Sequence, residues 1–283
     1  MKKVVSFSGG RTSAKLTLLA IEKFGAENVV VVLMDTGAEH PKTYEFVRKL
    51  VDVFGVDLVC LRGKFDQPLG KGVEYEVVGL NDLKFDLEPF KGMIKKYGVP
   101  YIGGMFCTDR MKLQPFKKYC KDHVGKDYET WLGIRIDEPK RLREKKGIKY
   151  LAEICDDEKQ DIASWWSEQI FDLEIPEWLG NCVFCPKKSN LKLAAAQRDE
   201  PELYIEWLNM IYSDDVRHDD NTGHWSQMYR GKKSLEQVVA MFDGSTGDEI
   251  KSRIRGAKMT DTNSCSESCE VFVCEANQGD LFK

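Results

Sequence analysis

Residues 3–13, Lys3-Val4-Val5-Ser6-Phe7-Ser8-Gly9-Gly10-Arg11-Thr12-Ser13, are the stretch that decides the fold prediction. A short apolar run stops at two glycines, and residues 12–24 then carry apolar side chains at helical spacing, which predicts a buried strand, a tight turn and a helix. Glycines let the backbone pass close to a ligand, and the free N–H groups at a helix start attract anions. We therefore predict a phosphate-binding loop. Its residues are Ser8, Gly9, Gly10, Arg11, Thr12 and Ser13.

The alternation of strand and helix continues after this loop. Residues 29–34 and 56–61 are apolar runs of strand length, and residues 41–54 between them begin with a proline and end before a glycine, as helices do. This order predicts an α/β fold, a Rossmann-like parallel sheet flanked by helices with right-handed crossovers. Further along, we expect a helix at 108–123 and a strand at 128–136.

The remaining segments have weaker patterns. Residues 62–100 are less regular and are expected to decorate the sheet, while residues 161–170 predict a helix capped by Asp157 or Asp161. We expect a nucleotide-binding domain with the cysteine segments over residues 1–190. A helical C-terminal extension over 191–255 and a flexible cysteine-containing tail over 256–283 would follow it.

Composition excludes some classes of protein and favours others. No apolar run approaches the roughly 18 residues that a membrane span needs, and residues 1–7 are too short for a signal peptide. We therefore expect a cytoplasmic protein without membrane contact (in the host cytoplasm if phage-encoded). The net charge of −4 gives no overall attraction to nucleic acid. Nucleic acid stays unsupported as a partner, because the basic run at 140–149 is of a kind that is usually a solvated surface. No pattern indicates an oligomeric state.

The nine cysteines need a chemical reason, since their number is odd and no export signal is present. Cys182 and Cys185 form a C-x-x-C pair that can bring two thiolates to one metal, and thiolates select zinc or iron–sulfur. Such a pair alone leaves a metal site, a redox pair and coincidence all open. The apolar or helical surroundings of Cys60, Cys120 and Cys155 indicate structural roles.

Four further segments accompany the loop in a fixed order. They are residues 35–46, Phe106-Cys107-Thr108 with Lys112 and Pro115, Gly133-Ile134-Arg135 with Glu138 and Arg141, and residues 181–186. Together with the loop they resemble the phosphoadenosine phosphosulfate (PAPS) reductase family of the adenine nucleotide α-hydrolase-like (PP-loop) superfamily, including branches common in phages. The resemblance covers residues 3–190.

The resemblance implies ATP or PAPS at the loop and assigns roles to three other residues. Asp35 and Arg135 would be catalytic, and Arg141 would be a further nucleotide contact. For Asp35, contact with Mg²⁺ or substrate stands against a role as turn or helix-cap residue, which aspartate also favours. For Arg135 and Arg141, bidentate contact with phosphate or sulfate stands against a solvated run of charge.

The resembled family draws cluster ligands from both cysteine segments. The resemblance therefore implies a [4Fe–4S] cluster held by Cys107, Cys182 and Cys185, with zinc as the alternative. Phe106 stands where the family often has another cysteine, so three ligands remain. Either one iron stays open, or the tail supplies a fourth ligand from Cys265, Cys269 and Cys274.

Two departures from the family pattern bear on function. Thr12 stands where many ATP-pyrophosphatase relatives have aspartate, and the tail lacks the Glu-Cys-Gly motif of PAPS reductases. The resemblance implies an enzyme of iron–sulfur-assisted sulfur chemistry, either sulfonucleotide processing or ATP-dependent thiolation, with a sulfur or electron donor protein as partner. The alternative is a non-catalytic module that binds or senses an adenine nucleotide and has a structural metal site.

Overall fold

The computed structural model describes residues 1–217, 229–230 and 232–256. Its centre is a six-stranded sheet in the order β4-β3-β2-β1-β5-β6. All neighbouring strands are parallel except β4, which runs antiparallel to β3 at one edge. The strands are β1 (Lys2–Phe7), β2 (Val29–Asp35), β3 (Leu58–Lys64), β4 (Glu74–Val78), β5 (Tyr128–Leu132) and β6 (Ile148–Tyr150). The predicted Rossmann-like α/β fold is thereby confirmed.

Helices cover both faces of the sheet. They are α1 (Arg11–Phe24), α2 (Pro41–Phe54), α3 (Glu88–Tyr97), α4 (Gln114–Tyr119), α5 (Lys159–Ser167), α6 (Asn190–Asp199), α7 (Pro201–Ile211), α8 (Leu235–Ala240) and α9 (Gly247–Gly256). Successive strand residues point to opposite faces, so Val5 packs with α1, α2 and α5, whereas Val4 packs with α4. Turns of π-helix, Asp109–Leu113 and Cys120–Val124, flank α4 and make one helical stretch close to the predicted one.

Several elements and boundaries differ from the prediction. Residues 62–100 contain β4 and α3, whose short patterns were not recognised in the sequence. Strand β3 begins at Leu58, two residues later than predicted, and extends to Lys64. Strand β5 ends at Leu132, because Gly133 turns there against the start of α1. Helix α5 is shorter than predicted and is capped at Glu158, whose N–H donates to the Asp161 carboxylate at 2.9 Å.

The C-terminal helices share a core with the sheet domain. Trp207 of α7, Val238 of α8 and Ile250 of α9 are buried in one apolar cluster with Phe90 of α3 and Phe184. Val183 and Phe184 of the C-x-x-C segment belong to this cluster, so α6 to α9 pack against that segment. In the described part of the chain no helix is both long and apolar enough to cross a membrane. The predicted tail cysteines, Cys265, Cys269 and Cys274, lie outside the described residues.

A network of three charges ties α6 to the segment before the C-x-x-C pair. Glu177 accepts from the buried Lys192 at 2.9 Å and from the exposed Lys159 at 3.0 Å. Burial opposes ionisation of Glu177, but the hydrogen bonds and charges of the two lysines outweigh it and lower its pKa from 4.5 to about 2. A carboxyl with a depressed pKa stabilises the fold above its unfolded pKa and loses that contribution as the pH falls towards the folded value.

We expect Glu177→Gln to lower the free energy of unfolding by about 1–2 kcal/mol at pH 7, a value reduced from that of a fully buried pair because Glu177 is partly exposed. The wild type should lose this advantage between pH 4.5 and about 2. Urea unfolding across that range measures both effects. Lys159→Gln is the control and should cost less, since Lys192 keeps its partner. Equal stability of the wild type and Glu177→Gln at pH 7 would contradict the assignment.

Candidate active site

The loop between β1 and α1 has the geometry of an anion site. Gly9 has φ +77°, a left-handed conformation that favours glycine, and a Cβ there would lie 2.9 Å from Thr43 of α2. Gly10 is the N-cap of α1 and has no side chain, so no cap side chain takes the N–H groups of the first helical turn. These groups and the positive end of the helix dipole are available to an anion.

Two serines fix the shape of this loop. The Ser8 N–H donates to Ser13 Oγ at 3.1 Å, and the Ser13 hydroxyl donates to the Gly10 carbonyl at 3.0 Å. The two hydroxyl oxygens are 2.9 Å apart. The serines predicted as phosphate donors therefore form hydrogen bonds within the loop. These bonds fix its conformation before any phosphate binds.

Arg11 is directed away from this role. Its guanidinium forms a bidentate ion pair with Asp172, with Nε–Oδ1 at 2.6 Å and Nη2–Oδ2 at 2.8 Å, and also donates to the Leu173 carbonyl. The Arg11 carbonyl accepts from the indole N–H of Trp166 at 2.9 Å. Arg11 thus anchors the start of α1 to the segment after α5, and its charge is already paired.

Arg135 brings a cation to the loop instead. Its Nη1 lies 3.4 Å from Thr12 Oγ1, while Nε and Nη2 are held by Asp137 at 2.8 and 3.2 Å. Gly133 permits this approach, since a Cβ there would lie 3.1 Å from the Ser13 backbone. Arg141 pairs with Glu138. The structure therefore brings Arg135 to the predicted loop and gives Arg141 a bracing position.

Asp35 ends β2 and is 1% exposed. One carboxylate oxygen accepts from the Gly37 N–H at 2.9 Å and from the Tyr44 hydroxyl at 2.7 Å, and the other accepts from Arg62 Nε at 2.6 Å. Burial and the neighbouring carboxylate raise the pKa of Tyr44 well above its usual value, so it remains a donor. This arrangement has the contacts of a turn and ion-pair residue. Arg62 was missed in the sequence, although it aligns with Asp35 in the register of β2 and β3.

The C-x-x-C segment docks at the same edge of the sheet. The Val183 N–H donates to the Ala38 carbonyl at 3.0 Å, and an isolated antiparallel bridge joins Glu39 to Cys182. The Cys182 sulfur lies 3.6 Å from Thr36 Oγ1. Residues 35–46 therefore contact both parts of the site. Helix α2 packs against the phosphate loop, and residues 36–39 contact the C-x-x-C segment.

Glu39 and Lys112 complete the surroundings of Cys182 and were not predicted as site residues. Glu39 is 4% exposed, and its carboxylate lies 3.6 Å from Lys112 Nζ and 4.0 Å from the Cys182 sulfur. Burial raises the pKa of Glu39 despite the attraction of Lys112. Burial of the thiol, with Glu39 nearby, raises the pKa of Cys182 to about 12. The signal in the sequence was the position of both residues inside two of the ordered motif segments, residues 35–46 and the segment that begins at Phe106.

The three predicted metal ligands share one neighbourhood. Cys107 acts on the pKa of Cys182, and Cys107, Cys182 and Cys185 all act on the pKa of Tyr229. Within residues 1–217, 229–230 and 232–256, no three His, Cys, Asp or Glu side chains are placed to hold a single metal ion.

A four-iron cluster binds its cysteines through different irons, so its thiols stand further apart than the ligands of one ion. Three thiols around a buried Tyr229 hydroxyl that has no hydrogen-bond partner in the described chain fit such a group.

The other described cysteines have the surroundings expected of structural residues. Cys60 belongs to β3 and packs with α1 and α2 on one face of the sheet. Cys120 packs with α4 on the opposite face. Burial raises the pKa of each to about 12. Cys155 is half-buried beside Asp157, and burial raises its pKa.

Comparison with known proteins places these features in a family. The sequence model of the phosphoadenosine phosphosulfate reductase domain matches residues 2–160, which is more than half of the chain. The chain belongs to this family. The match confirms the resemblance drawn from the ordered motifs, and it ends before the C-x-x-C segment and helices α6 to α9.

Relatives of the chain include a phage protein. The nin region protein ORF290 of Escherichia phage lambda is 48% identical over 277 residues, covering 96% of both chains. Two proteins of Methanocaldococcus jannaschii, MJ0066 and MJ0973, are 24% and 23% identical, and the chain spans 43% and 54% of their lengths. A phosphoadenylyl-sulfate (PAPS) reductase from Candida auris, solved as a phosphate complex, is 15% identical with a TM-score of 0.38, covering 59% of this chain and 73% of that chain.

The contacts of Asp35 predict a structural effect of its replacement. Asp35→Asn should destabilise the fold by about 2–3 kcal/mol, because a buried charge-assisted hydrogen bond is lost and Arg62 keeps only Asp86 of its two carboxylate partners. Asp86→Asn is the matched control, since Asp86 also pairs with Arg62, at 3.0 Å, and its loss leaves Asp35 in place. Thermal unfolding compares the two variants. If Asp35→Asn were as stable as the wild type, the structural role of Asp35 would be contradicted. A contact with metal or substrate would then be favoured.

Proposed function

We propose that this chain binds the phosphates of an adenine nucleotide, ATP or PAPS, at residues 8–13 and carries out iron–sulfur-assisted sulfur chemistry on or through that nucleotide. The observation that carries the proposal is the common position of the two sites. The phosphate loop follows β1, and the cysteine segment is docked on the residues that follow β2. In open parallel sheets, ligands bind at this carboxyl edge.

The phosphate part of the proposal rests on free donors and one cation. The first turn of α1 offers its backbone N–H groups, and Arg135 lies against Thr12 with its orientation set by Asp137. An arginine whose orientation is already set loses little freedom on binding an anion, and a phosphate would share Arg135 Nη1 with Glu138, which lies 3.5 Å away. Arg141 acts through Glu138, which also accepts from the Arg135 backbone N–H at 3.1 Å. A Mg²⁺ ion would enter with the nucleotide, because Asp35 is fully engaged in protein contacts.

The sulfur part of the proposal rests on the thiols. Cys107, Cys182 and Cys185 would hold a [4Fe–4S] cluster, which supplies iron that can bind or stabilise sulfur. Lys112 is placed to offset the negative charge that deprotonated thiols bring to a buried site. The docking of Cys182 against Thr36 and Glu39 keeps this region on the same edge as the nucleotide. A sulfur or electron donor protein would be the transient partner.

Nucleotide binding can be measured by calorimetry with ATP and with PAPS. We expect Arg135→Gln to weaken binding of the preferred nucleotide about ten- to a hundredfold, the worth of a charge-assisted hydrogen bond. Arg48→Gln is the control, because Arg48 donates to the Leu83 carbonyl away from the loop. Unchanged affinity in Arg135→Gln would contradict the placement of the phosphates.

Iron and acid-labile sulfide counts after anaerobic purification test the cluster. We expect about four of each per chain, with absorption at about 400 nm, and loss of both in Cys182→Ala. Cys155→Ala should keep them, since Cys155 lies among the residues packed near α1 and α5. A colourless wild type without iron would leave a nucleotide-binding protein whose cysteines are structural.

A third measurement separates the enzyme from the binding module. Release of pyrophosphate from labelled ATP, or of sulfite from PAPS, in the presence of a thiol or sulfide donor would establish turnover. Tight binding of either nucleotide without a product would favour a sensing module with a structural metal site.

A further inference from the structure

Residues 229–230 lie outside the matched range of the family and connect the two cysteine segments. The Ile102 N–H donates to the Tyr229 carbonyl at 3.2 Å, shortly before Cys107 in the chain. Arg230 Nη1 donates to the Pro186 carbonyl at 3.0 Å, directly after Cys185. The segment therefore holds the loop of the first cysteine and the loop of the C-x-x-C pair together.

A second bond and a local turn fix this segment. The same Arg230 nitrogen donates to the Lys188 carbonyl at 2.8 Å. Tyr229 and Arg230 both donate from the backbone to the Lys233 carbonyl, at 2.8 and 3.1 Å. Because the backbone is tied at both ends, the Tyr229 side chain has a defined direction.

The Tyr229 side chain points into the protein with an unused hydrogen-bond donor. It is 2% exposed and lies in the apolar cluster that contains Cys107 and Cys182. Its hydroxyl has no hydrogen-bond partner among the described residues. A buried hydroxyl left unpaired costs about 1–3 kcal/mol, so its position calls for an acceptor that the described residues do not provide.

The groups around this hydroxyl do not supply that acceptor. The indole N–H of Trp207 is close enough to affect Tyr229, but an N–H can only donate, so it leaves the phenol hydrogen without an acceptor. Among the described residues, Cys185, Cys182 and Cys107 also act on Tyr229 and, with its burial, raise its pKa well above the usual value. Thiol sulfurs are weak acceptors, whereas sulfur that bears charge is a good one.

We propose that Tyr229 donates its phenol hydrogen to a sulfur atom of an iron–sulfur cluster held by Cys107, Cys182 and Cys185. This inference rests on the proposed function, and it adds a cofactor contact from a segment beyond the family domain. Hydrogen bonds to cluster sulfur raise the reduction potential, because they stabilise the more negative, reduced form. Tyr229 thus links the C-terminal helices to the chemistry of the cluster.

The test compares Tyr229→Phe with Tyr204→Phe, each purified anaerobically as the full chain. Tyr204 is the matched control, since it packs against Phe184 between the two cysteines, with ring centroids 5.5 Å apart. Iron and sulfide counts, a redox titration and the rate of iron loss to a chelator are measured. Phenylalanine keeps the ring and its packing, so both variants are expected to fold and to bind iron.

We expect Tyr229→Phe to have a lower reduction potential than the wild type and to lose iron about fivefold faster, the effect of one hydrogen bond. Tyr204→Phe should match the wild type in both. The metal-free proteins are compared by their melting temperatures. There Tyr229→Phe should melt at or above the wild-type temperature, because the substitution removes an unpaired buried hydroxyl.

The outcomes separate this inference from the proposed function. An iron-loaded wild type whose potential and iron loss equal those of Tyr229→Phe overturns the hydrogen bond alone. A metal-free Tyr229→Phe that melts well below the wild type also overturns it, because the hydroxyl would then have a partner in the protein. A wild type without iron overturns the cluster and this inference together.

Discussion

The position of the candidate site depends on the hydrogen bonds and the ion pair of the buried Asp35 carboxylate. It ends the central strand β2 and ties together Gly37 of the following turn, Tyr44 of α2 and Arg62 of β3. A charge shut away from water must be paired and hydrogen-bonded, and each of its partners is thereby fixed in turn. The turn that Asp35 shapes is the one on which the C-x-x-C segment docks, through the Val183–Ala38 hydrogen bond and the Glu39–Cys182 bridge.

The two arginines near the predicted phosphate loop have different contacts. Arg11 lies inside the loop sequence, yet its bidentate pair with Asp172 makes it part of the scaffold. Arg135 comes from the end of β5, over one hundred residues away, and reaches Thr12 because Gly133 has no side chain to keep the two backbones apart. The cation that lies against Thr12 is therefore the distant Arg135 and not the neighbouring Arg11.

Local patterns were sufficient for the fold and insufficient for the contacts. The strand, the two glycines and the helix at residues 3–24 were predictable because each is set by neighbours along the chain. Strand β4 was not, since the five residues Glu74–Val78 form an exposed edge without an apolar run. The roles of Arg11 and Asp35 were open for a further reason, because Asp172 and Arg62 become their partners only through folding.

The same distinction explains why Tyr229 could not be predicted as a site residue. Nothing in the sequence around position 229 marks a ligand, and the family match ends at residue 160. Only the folded chain brings Tyr229 and Arg230 between the two cysteine segments, where Arg230 bonds to Pro186 and Lys188. Helices α7 to α9 belong to the same apolar cluster as Tyr229, and the segment that they support is therefore as much a part of the site as the motifs shared with the family.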